Sequence, residues 1–320
     1  MVEKKVDQWR NPLIKHRADP WIMLHADGYY YFVATVPTYD YIELRRSKTV
    51  SGLAKVEPKI IWREHDKGDM KYHIWAPEIH YINSKWYIYF AAGHEQDPWR
   101  IRMYVLECGG KNPLEAPWVE KGQIKSRWDT FSLDATTFEH QSEQYMIWAQ
   151  SDPNIAGNSN LYIDKMINPW TLSGQQVMIS TPEYPWERIG FNVNEGPAVL
   201  KTDAKIYVSY SASKTDHNYC LGLLEIDTDK NLLNPKHWKK YKEPVFTTSE
   251  VNQQYGPGHN CFVRKKTTDE IILVYHARSY KQIQGDPLSD PNRHTRAQVI
   301  RLDAGEIIFD QPIKDGVLCG

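Results

Sequence analysis

Three carboxylates occupy similar places in the chain, each close to the start of a strand-forming run. Asp19 begins DPWIML, Asp134 begins DATTF, and Glu195 lies in NVNEGP, ahead of VLKTDAKIYVSY. Because Gly and Pro mark turns while Val, Ile and Tyr favour strands, Glu195 belongs where a loop enters a sheet. Hydrolysis of a glycosidic bond requires one protonated carboxylic acid and one ionised carboxylate, and a third acid can tune the first. A single acid in a turn is weak evidence for a functional site. The three acids become informative only if the strands that follow them bring them together.

The same sequence pattern occurs five times along the chain. A polar residue heads each copy, and aromatic-rich runs with strand-like alternation follow it. The heading residues are Asp19, Glu78, Asp134, Glu195 and His259, with separations of 59, 56, 61 and 64 residues. Such spacing, with about four strands per repeat, is typical of propeller blades.

We therefore predict an all-β, five-bladed β-propeller that forms one catalytic domain over residues 1–320, with blades starting near residues 19, 78, 134, 195 and 259. In a propeller, the innermost strand of every blade begins at the same end of the central axis. Asp19, Asp134 and Glu195 are then expected to face one another in an axial depression. Grouped titratable residues in a cleft are candidates for a functional site.

Composition excludes several classes of function. The net charge of -1 leaves no basic surface for nucleic acid, and no segment is apolar enough to span a membrane. The first residues lack the apolar stretch of a secretory signal, which predicts a cytoplasmic protein. The four cysteines form no CxxC pair, which argues against a zinc site and favours buried, reduced thiols. The 12 Trp and 20 Tyr favour a carbohydrate ligand, because such rings stack on sugar faces.

Five short motifs follow one another at the spacing of the predicted blades. They are RADPW at 17–21, HIWAPE at 73–78, SLDATTF at 132–138, NEGP at 194–197 and GPGHN at 256–260. Together they resemble glycoside hydrolase family 43, which contains five-bladed propeller arabinanases, arabinofuranosidases and xylosidases. The resemblance implies that Asp19 is the general base, Glu195 the general acid, and Asp134 the residue that tunes the pKa and orientation of the acid. It also implies inversion at the anomeric carbon, with base and acid about 6.5–9.5 Å apart.

Further site residues are expected by the same resemblance. Trp75 is expected to stack on the sugar, with blade packing as the alternative. Arg296 resembles a fifth-blade arginine that reaches sugar hydroxyls, with His276 beside it, although a structural salt bridge is the competing interpretation of the arginine. No cofactor is required. The resemblance allows a calcium-like structural ion near His259, and a hydrogen-bonded core histidine is the alternative. Glu78 is expected to shape the pocket wall or to pair with an arginine.

The expected substrate is an arabino-oligosaccharide. The strings NPLIKHRADPW, YDYIELRRSKT, HIWAPEIH and IRMYVLE are most similar to family members that release single L-arabinofuranose units. We therefore expect an inverting exo-α-L-arabinofuranosidase that acts on α-1,5-linked chains. A β-xylosidase acting on xylo-oligosaccharides is the alternative on the same scaffold, because the two sugars present similar hydroxyl groups. A non-catalytic sugar-binding propeller is a third interpretation, against which the acid trio argues. The sequence does not indicate the oligomeric state.

Overall fold

The computed structural model describes residues 7–268, 270–303 and 305–320. These residues form strands and three short 3-10 helices, at Ser51–Ala54, Pro185–Glu187 and Pro235–His237, and they contain no α-helix. The predicted all-β class is confirmed. Residues 1–6, which the predicted domain includes, lie outside the described residues. Within the described ranges, no helix has the length and apolar character needed to cross a bilayer.

Five antiparallel sheets follow one another along the chain. After the short strand β1 (Trp9–Arg10), the first blade contains β2 (Ala18–Leu24), β3 (Tyr30–Thr35), β4 (Tyr41–Ser47) and β5 (Lys59–Arg63). The second contains β6 (Tyr72–Ile82), β7 (Lys85–His94), β8 (Asp97–Cys108) and β9 (Val119–Gln123). The third contains β10 (Ser132–His140), β11 (Glu143–Gln150), β12 (Asn160–Asn168), β13 (Thr171–Leu172) and β14 (Val177–Ser180).

The last two blades continue the same order from the axis outward. The fourth contains β15 (Asn194–Lys201), β16 (Lys205–Ala212), β17 (Cys220–Asp227) and β18 (Lys239–Lys240). The fifth contains β19 (Tyr255–Arg264), β20 (Ile271–Arg278), β21 (His294–Asp303) and β22 (Glu306–Ile308), and β23 (Leu318–Cys319) follows it. The first strand of each blade contacts the first strand of the next, and β19 returns to β2. The chain is therefore a closed five-bladed propeller.

The ring closes through the N-terminal segment. Strand β1 pairs with β23, and the Trp9 indole N–H donates to the Ala297 carbonyl oxygen at 2.9 Å. The Asn11 side chain also donates to that oxygen, and it accepts a hydrogen bond from the Ala297 amide. The segment that leads into the first blade is thereby fixed to β21 of the fifth blade.

Apolar layers fill the gaps between neighbouring blades. The second strands are buried along nearly their whole length, as in IILVYHAR of β20, because both faces of each sheet pack against other blades. Alternation of apolar and polar residues therefore fades in these strands and returns toward the outer edge. All four cysteines are free and buried, as the sequence predicted. The packed blades form a rigid wall around the axis, where the polar residues gather.

Candidate active site

Every innermost strand is bulged at the same place. The ladder to the second strand shifts register once in three blades and twice in β6 and β19, and at an equivalent shift in every blade lies a residue with positive φ. These residues are Asp19, Ala76, Asp134, Gly196 and His259, with φ between 44° and 56°. A positive φ is uncommon for a residue other than glycine and is often found at functional sites. The bulges terminate regular pairing and aim selected side chains at the axis.

The predicted heading residues are not all equivalent in the structure. Asp19, Asp134 and His259 occupy the positive-φ position, whereas Glu195 precedes that position by one residue. Glu78 lies two residues beyond it, deeper along the axis. There its Oε2 atom is 3.0 Å from Nε2 of His80. Among the described residues, Glu78 neither lines the cavity nor pairs with an arginine, because the extra two residues carry its side chain below the axial depression.

An axial cavity of about 420 Å³ contains the three predicted acids. Asp19 and Asp134 are buried and Glu195 is partly buried. The aromatic and charged residues that line the remaining wall are Trp75, Trp99, Phe131, Phe191, Lys214, Tyr219, His259, Asp286 and Arg293. The cavity thus combines apolar rings with a few convergent polar groups, which is the usual composition of a small-ligand site.

Asp19 is surrounded by positively charged or basic groups. Its Oδ1 atom lies 3.3 Å from Arg293 Nη1, 3.3 Å from His259 Nδ1 and 3.2 Å from His276 Nδ1. Burial acts to raise the pKa of Asp19, but Arg293 and the two imidazoles outweigh it and hold the pKa well below its ordinary value. Asp19 is therefore ionised at neutral pH.

Asp134 and Glu195 have the opposite electrostatic environment. Burial, followed by the charges of Glu195 and Asp19, raises the pKa of Asp134 well above its ordinary value, although the Gly196 N–H donates to Oδ2 at 2.9 Å. Burial also raises the pKa of Glu195 to about 7, against the hydrogen bond that the Tyr219 hydroxyl donates to Oε1 at 2.7 Å. Both acids therefore hold their protons to a higher pH than an ordinary carboxyl does.

The structure brings most of the predicted ligand-binding residues to the site. Trp75 lines the cavity, 5.9 Å from Trp99 between ring centres. Its buried indole N–H has no acceptor among the described residues. His276 lies just behind the wall, where the Asp19 amide donates to its Nδ1 at 3.1 Å. Burial lowers the pKa of His276 to about 3, so the ring is neutral and supports Asp19 from behind.

Arg296 lies elsewhere, and Arg293 takes the place expected for it. Arg296 is fully buried, and its Nε and Nη2 atoms donate to the Asp315 carboxylate, each at 3.0 Å. It lies within β21, the third strand of its blade, away from the axis. Arg293 precedes that strand, lines the cavity and places Nη1 3.3 Å from Oδ1 of Asp19. Both arginines belong to the string RHTR, and spacing alone does not show which one turns inward.

Tyr219 and Trp99 were also missed by the sequence interpretation. Tyr219 precedes β17 and Trp99 lies in β8, so neither belongs to an innermost strand, where the repeat pattern directs attention. Both reach the cavity from other parts of their blades. A search of the segments that join strands at the active end, rather than of the strand starts alone, could have indicated Tyr219.

His259 lies between the acids. Its Nδ1 atom is 3.3 Å from Asp19 and 4.0 Å from Asp134. In the described part of the chain, no group of three or more His, Cys, Asp or Glu side chains is arranged to hold a metal ion. Calcium prefers oxygen ligands, and a lone imidazole with the Arg293 cation nearby offers it a poor site. The calcium-like ion stays a prediction from the sequence that these residues do not fit.

The closed propeller and its axial carboxylate cavity define the class of protein: a five-bladed scaffold with an acid–base site at one end of the axis. Residues 9–308 match the family described as Glycosyl hydrolases family 43. The chain belongs to this family, as its motifs predicted.

Named relatives cover almost the whole chain. An "Extracellular exo-alpha-(1->5)-L-arabinofuranosidase" of Streptomyces avermitilis is 54% identical over 96% of this chain and 64% of its own length. A protein of the same name from Streptomyces chartreusis is 53% identical over 87% of this chain and 85% of its own. The crystal structure of an α-L-arabinofuranosidase from Lactobacillus brevis has a TM-score of 0.94 and 48% identity, covering 97% of this chain and 98% of that one. The chain thus spans about two thirds of the length of the first relative.

The relatives correct one expectation. Both Streptomyces proteins are named as extracellular, so the prediction of a cytoplasmic location is wrong. The free thiols do not require a reducing compartment, because all four are buried and shielded from oxidants.

Proposed function

We propose that the protein is an inverting exo-α-L-arabinofuranosidase that releases terminal L-arabinofuranose from α-1,5-linked arabino-oligosaccharides. One observation carries the proposal: a single cavity holds an ionised Asp19 and a Glu195 with a pKa of about 7. An inverting glycosidase needs a base that is charged and an acid that is protonated at the same pH. The names of the relatives support the choice of sugar and linkage.

In the proposed reaction, Asp19 removes a proton from the attacking water, which approaches the anomeric carbon from the face opposite the leaving group. Glu195 gives its proton to the departing glycosidic oxygen, and Asp134 helps to keep that proton in place before the reaction. The positive charge of Arg293 keeps Asp19 ionised but also weakens its basicity. A base in this environment depends on close placement of the attacking water, which the enclosed wall of the cavity favours.

Substrate binding is assigned to the aromatic wall. The apolar face of the sugar contacts the rings of Trp75 and Trp99, which line the cavity 5.9 Å apart between ring centres. The cavity of about 420 Å³ is of the size that takes a small ligand. These features suit a pocket that receives a chain end.

Product analysis on arabino- and xylo-oligosaccharides tests the proposal. We expect arabinose as the sole product from the arabino-oligosaccharides, and NMR taken early in the reaction should show it first as the β-anomer. Xylose from the xylo-oligosaccharides would instead favour the β-xylosidase alternative. An Asp19→Asn protein is the matched control for contaminating activity. No hydrolysis of any substrate by a folded protein would favour the non-catalytic alternative.

A further inference from the structure

A chain of hydrogen bonds leads to one particular oxygen of Glu195. The His259 amide donates to Oγ of Ser211 at 2.7 Å. The Tyr219 hydroxyl donates to Oε1 of Glu195 at 2.7 Å, and the neighbouring Ser211 hydroxyl acts to lower the pKa of Tyr219, as a donor facing the phenol oxygen does. Ser211 and Tyr219 are almost completely buried, so bulk water does not compete for these groups.

The direction of this chain is fixed at its first member. A backbone N–H can only donate, so Ser211 accepts from His259 and keeps its single hydrogen for the side that faces Tyr219. Tyr219 in turn has one hydrogen, which goes to Glu195. Oε1 of Glu195 therefore accepts, and an acid proton on this carboxyl must reside on Oε2.

We propose that Ser211 and Tyr219 act as positioning residues that select Oε2 of Glu195 as the oxygen which carries and delivers the acid proton. The inference rests on the proposed function, in which Glu195 is the proton donor. It adds that the donor atom is chosen before substrate binds. A carboxylic acid whose proton could occupy either oxygen would spend part of its time in an unproductive state.

The fold provides a slot for Tyr219. Its ring stacks on the His276 ring with 5.6 Å between centres and 6° between planes. Gly258 also packs against this ring, where a Cβ atom would lie 2.4 Å from both Cδ1 and Cε1 of Tyr219. Ser211 is the cross-strand partner of Glu195 in the β15–β16 ladder. Gly258, the second glycine of GPGHN, must therefore lack a side chain, because a Cβ atom there would collide with the Tyr219 ring.

Removal of the Tyr219 hydroxyl has an effect of predictable sign on the pKa of Glu195. The hydrogen bond stabilises the ionised carboxylate, so its loss raises that pKa and extends activity to higher pH. The other charged or titratable groups facing this corner of the cavity are unchanged by the substitution; they are Asp134 from β10, Asp19 from β2, His259 from β19, His276 from β20 and Arg293 ahead of β21.

The test compares Tyr219→Phe with the wild-type protein. We expect the alkaline limb of kcat/KM on arabino-oligosaccharides to move up by about one pH unit. We also expect kcat on these substrates to fall roughly tenfold, a part of what a general acid contributes. Aryl arabinofuranosides, whose leaving group needs little protonation, should change by less than about twofold. Tyr210→Phe is the matched control, because its buried hydroxyl donates to Glu187 and not to Glu195.

The outcomes separate positioning from a merely structural role. An unmoved alkaline limb in folded Tyr219→Phe would overturn the inference, as would an equal shift in Tyr210→Phe. Should Tyr219→Phe fail to fold, Ser211→Ala takes its place, with a smaller upward shift expected and no shift counting against the inference. The pKa of Glu195 can also be followed by NMR of 13C-labelled carboxyl groups, without any substrate. That readout decides the inference even if the wild-type protein cleaves no arabinofuranoside and the proposed function fails.

Discussion

The two sides of the cavity bury acids of the same kind and give them opposite protonation states. On the side of the first and fifth blades, Asp19 meets Arg293 and two imidazoles. On the side of the third and fourth blades, the Gly196 amide donates to Asp134 and the Tyr219 hydroxyl donates to Glu195, while the nearest imidazole nitrogen, Nδ1 of His259, is 4.0 Å from Asp134. Burial raises the pKa on both sides, so the difference comes from the cation. The comparison shows that charged neighbours, rather than burial, divide the acids into a charged and a protonated set.

Removal of either proposed catalytic acid should cause the largest loss of activity. The pattern of loss across two kinds of substrate should distinguish the base, Asp19, from the acid, Glu195. Asp19→Ala should lower the activity about 10²–10⁴-fold on arabino-oligosaccharides and on aryl arabinofuranosides alike, because both substrates need an activated water. Glu195→Ala should lose a similar factor on the oligosaccharides but keep much more activity on the aryl substrates. Steady-state kinetics of both variants on both substrates measure this. Equal losses for the two variants across both substrates would remove the distinction between base and acid.

Loss of the Arg293 guanidinium should give Asp19 a raised pKa, as Asp134 and Glu195 already have. Arg293→Gln removes the main positive charge from Asp19, so the pKa of Asp19 rises and the acidic limb of activity moves to higher pH, by about one unit or more. The pH profile of kcat/KM reports this shift.

Arg296→Gln is the matched control for that change. It breaks the pair between buried Arg296 and partly exposed Asp315 and should lower the free energy of unfolding by about 2 kcal/mol, while the acidic limb stays in place. A moved limb in Arg296→Gln with an unmoved limb in Arg293→Gln would restore the interpretation made from the sequence.

The second side can be tested through Asp134. Asp134 and Glu195 lie close enough that the ionisation of one carboxyl opposes the ionisation of the other. Asp134→Asn removes this mutual repulsion, which should lower the pKa of Glu195 and move the alkaline limb to lower pH by about one unit. The substitution is nearly isosteric, and the asparagine oxygen can still accept from the Gly196 amide. An unchanged alkaline limb, in a protein with an unaltered melting transition, would leave Asp134 as a substrate-positioning residue at most.

Glu78, below both sides, should give the smallest effect. Burial raises its pKa well above the ordinary value, and burial lowers the pKa of its partner His80 to about 3, so the pair is neutral. A carboxyl that resists ionisation in the folded state costs stability as pH rises above the pKa it has in the unfolded chain. Glu78→Gln should remove this decline, with a gain of about 1 kcal/mol near neutral pH and an unchanged activity profile. Urea unfolding at several pH values measures it; a steeper decline in the variant contradicts a neutral Glu78.

The fold could be predicted from the sequence because each repeat contains the same local sequence features. Turn residues, aromatic runs and a period near sixty residues survive in every blade, and each reflects the short-range conformational preference of its own segment. The acids Asp19, Asp134 and Glu195 could be predicted for the same reason, since each lies beside a strand start. The arginine of the site could not be predicted in this way, because Arg293 and Arg296 lie three residues apart in the same string. Only the fold shows that Arg293 faces the axis while Arg296 faces Asp315.

The sequence by itself determined the five blades, the acids at their inner strands and the family to which the chain belongs. Only the tertiary structure decided how those acids differ. Glu195 sits one residue away from the register of Asp19 and Asp134, and Glu78 falls below the cavity, because a bulge changes the direction of a side chain within one or two positions. The charge on each acid then depends on groups brought from other blades, such as Arg293 and Tyr219, whose distances no local sequence pattern records.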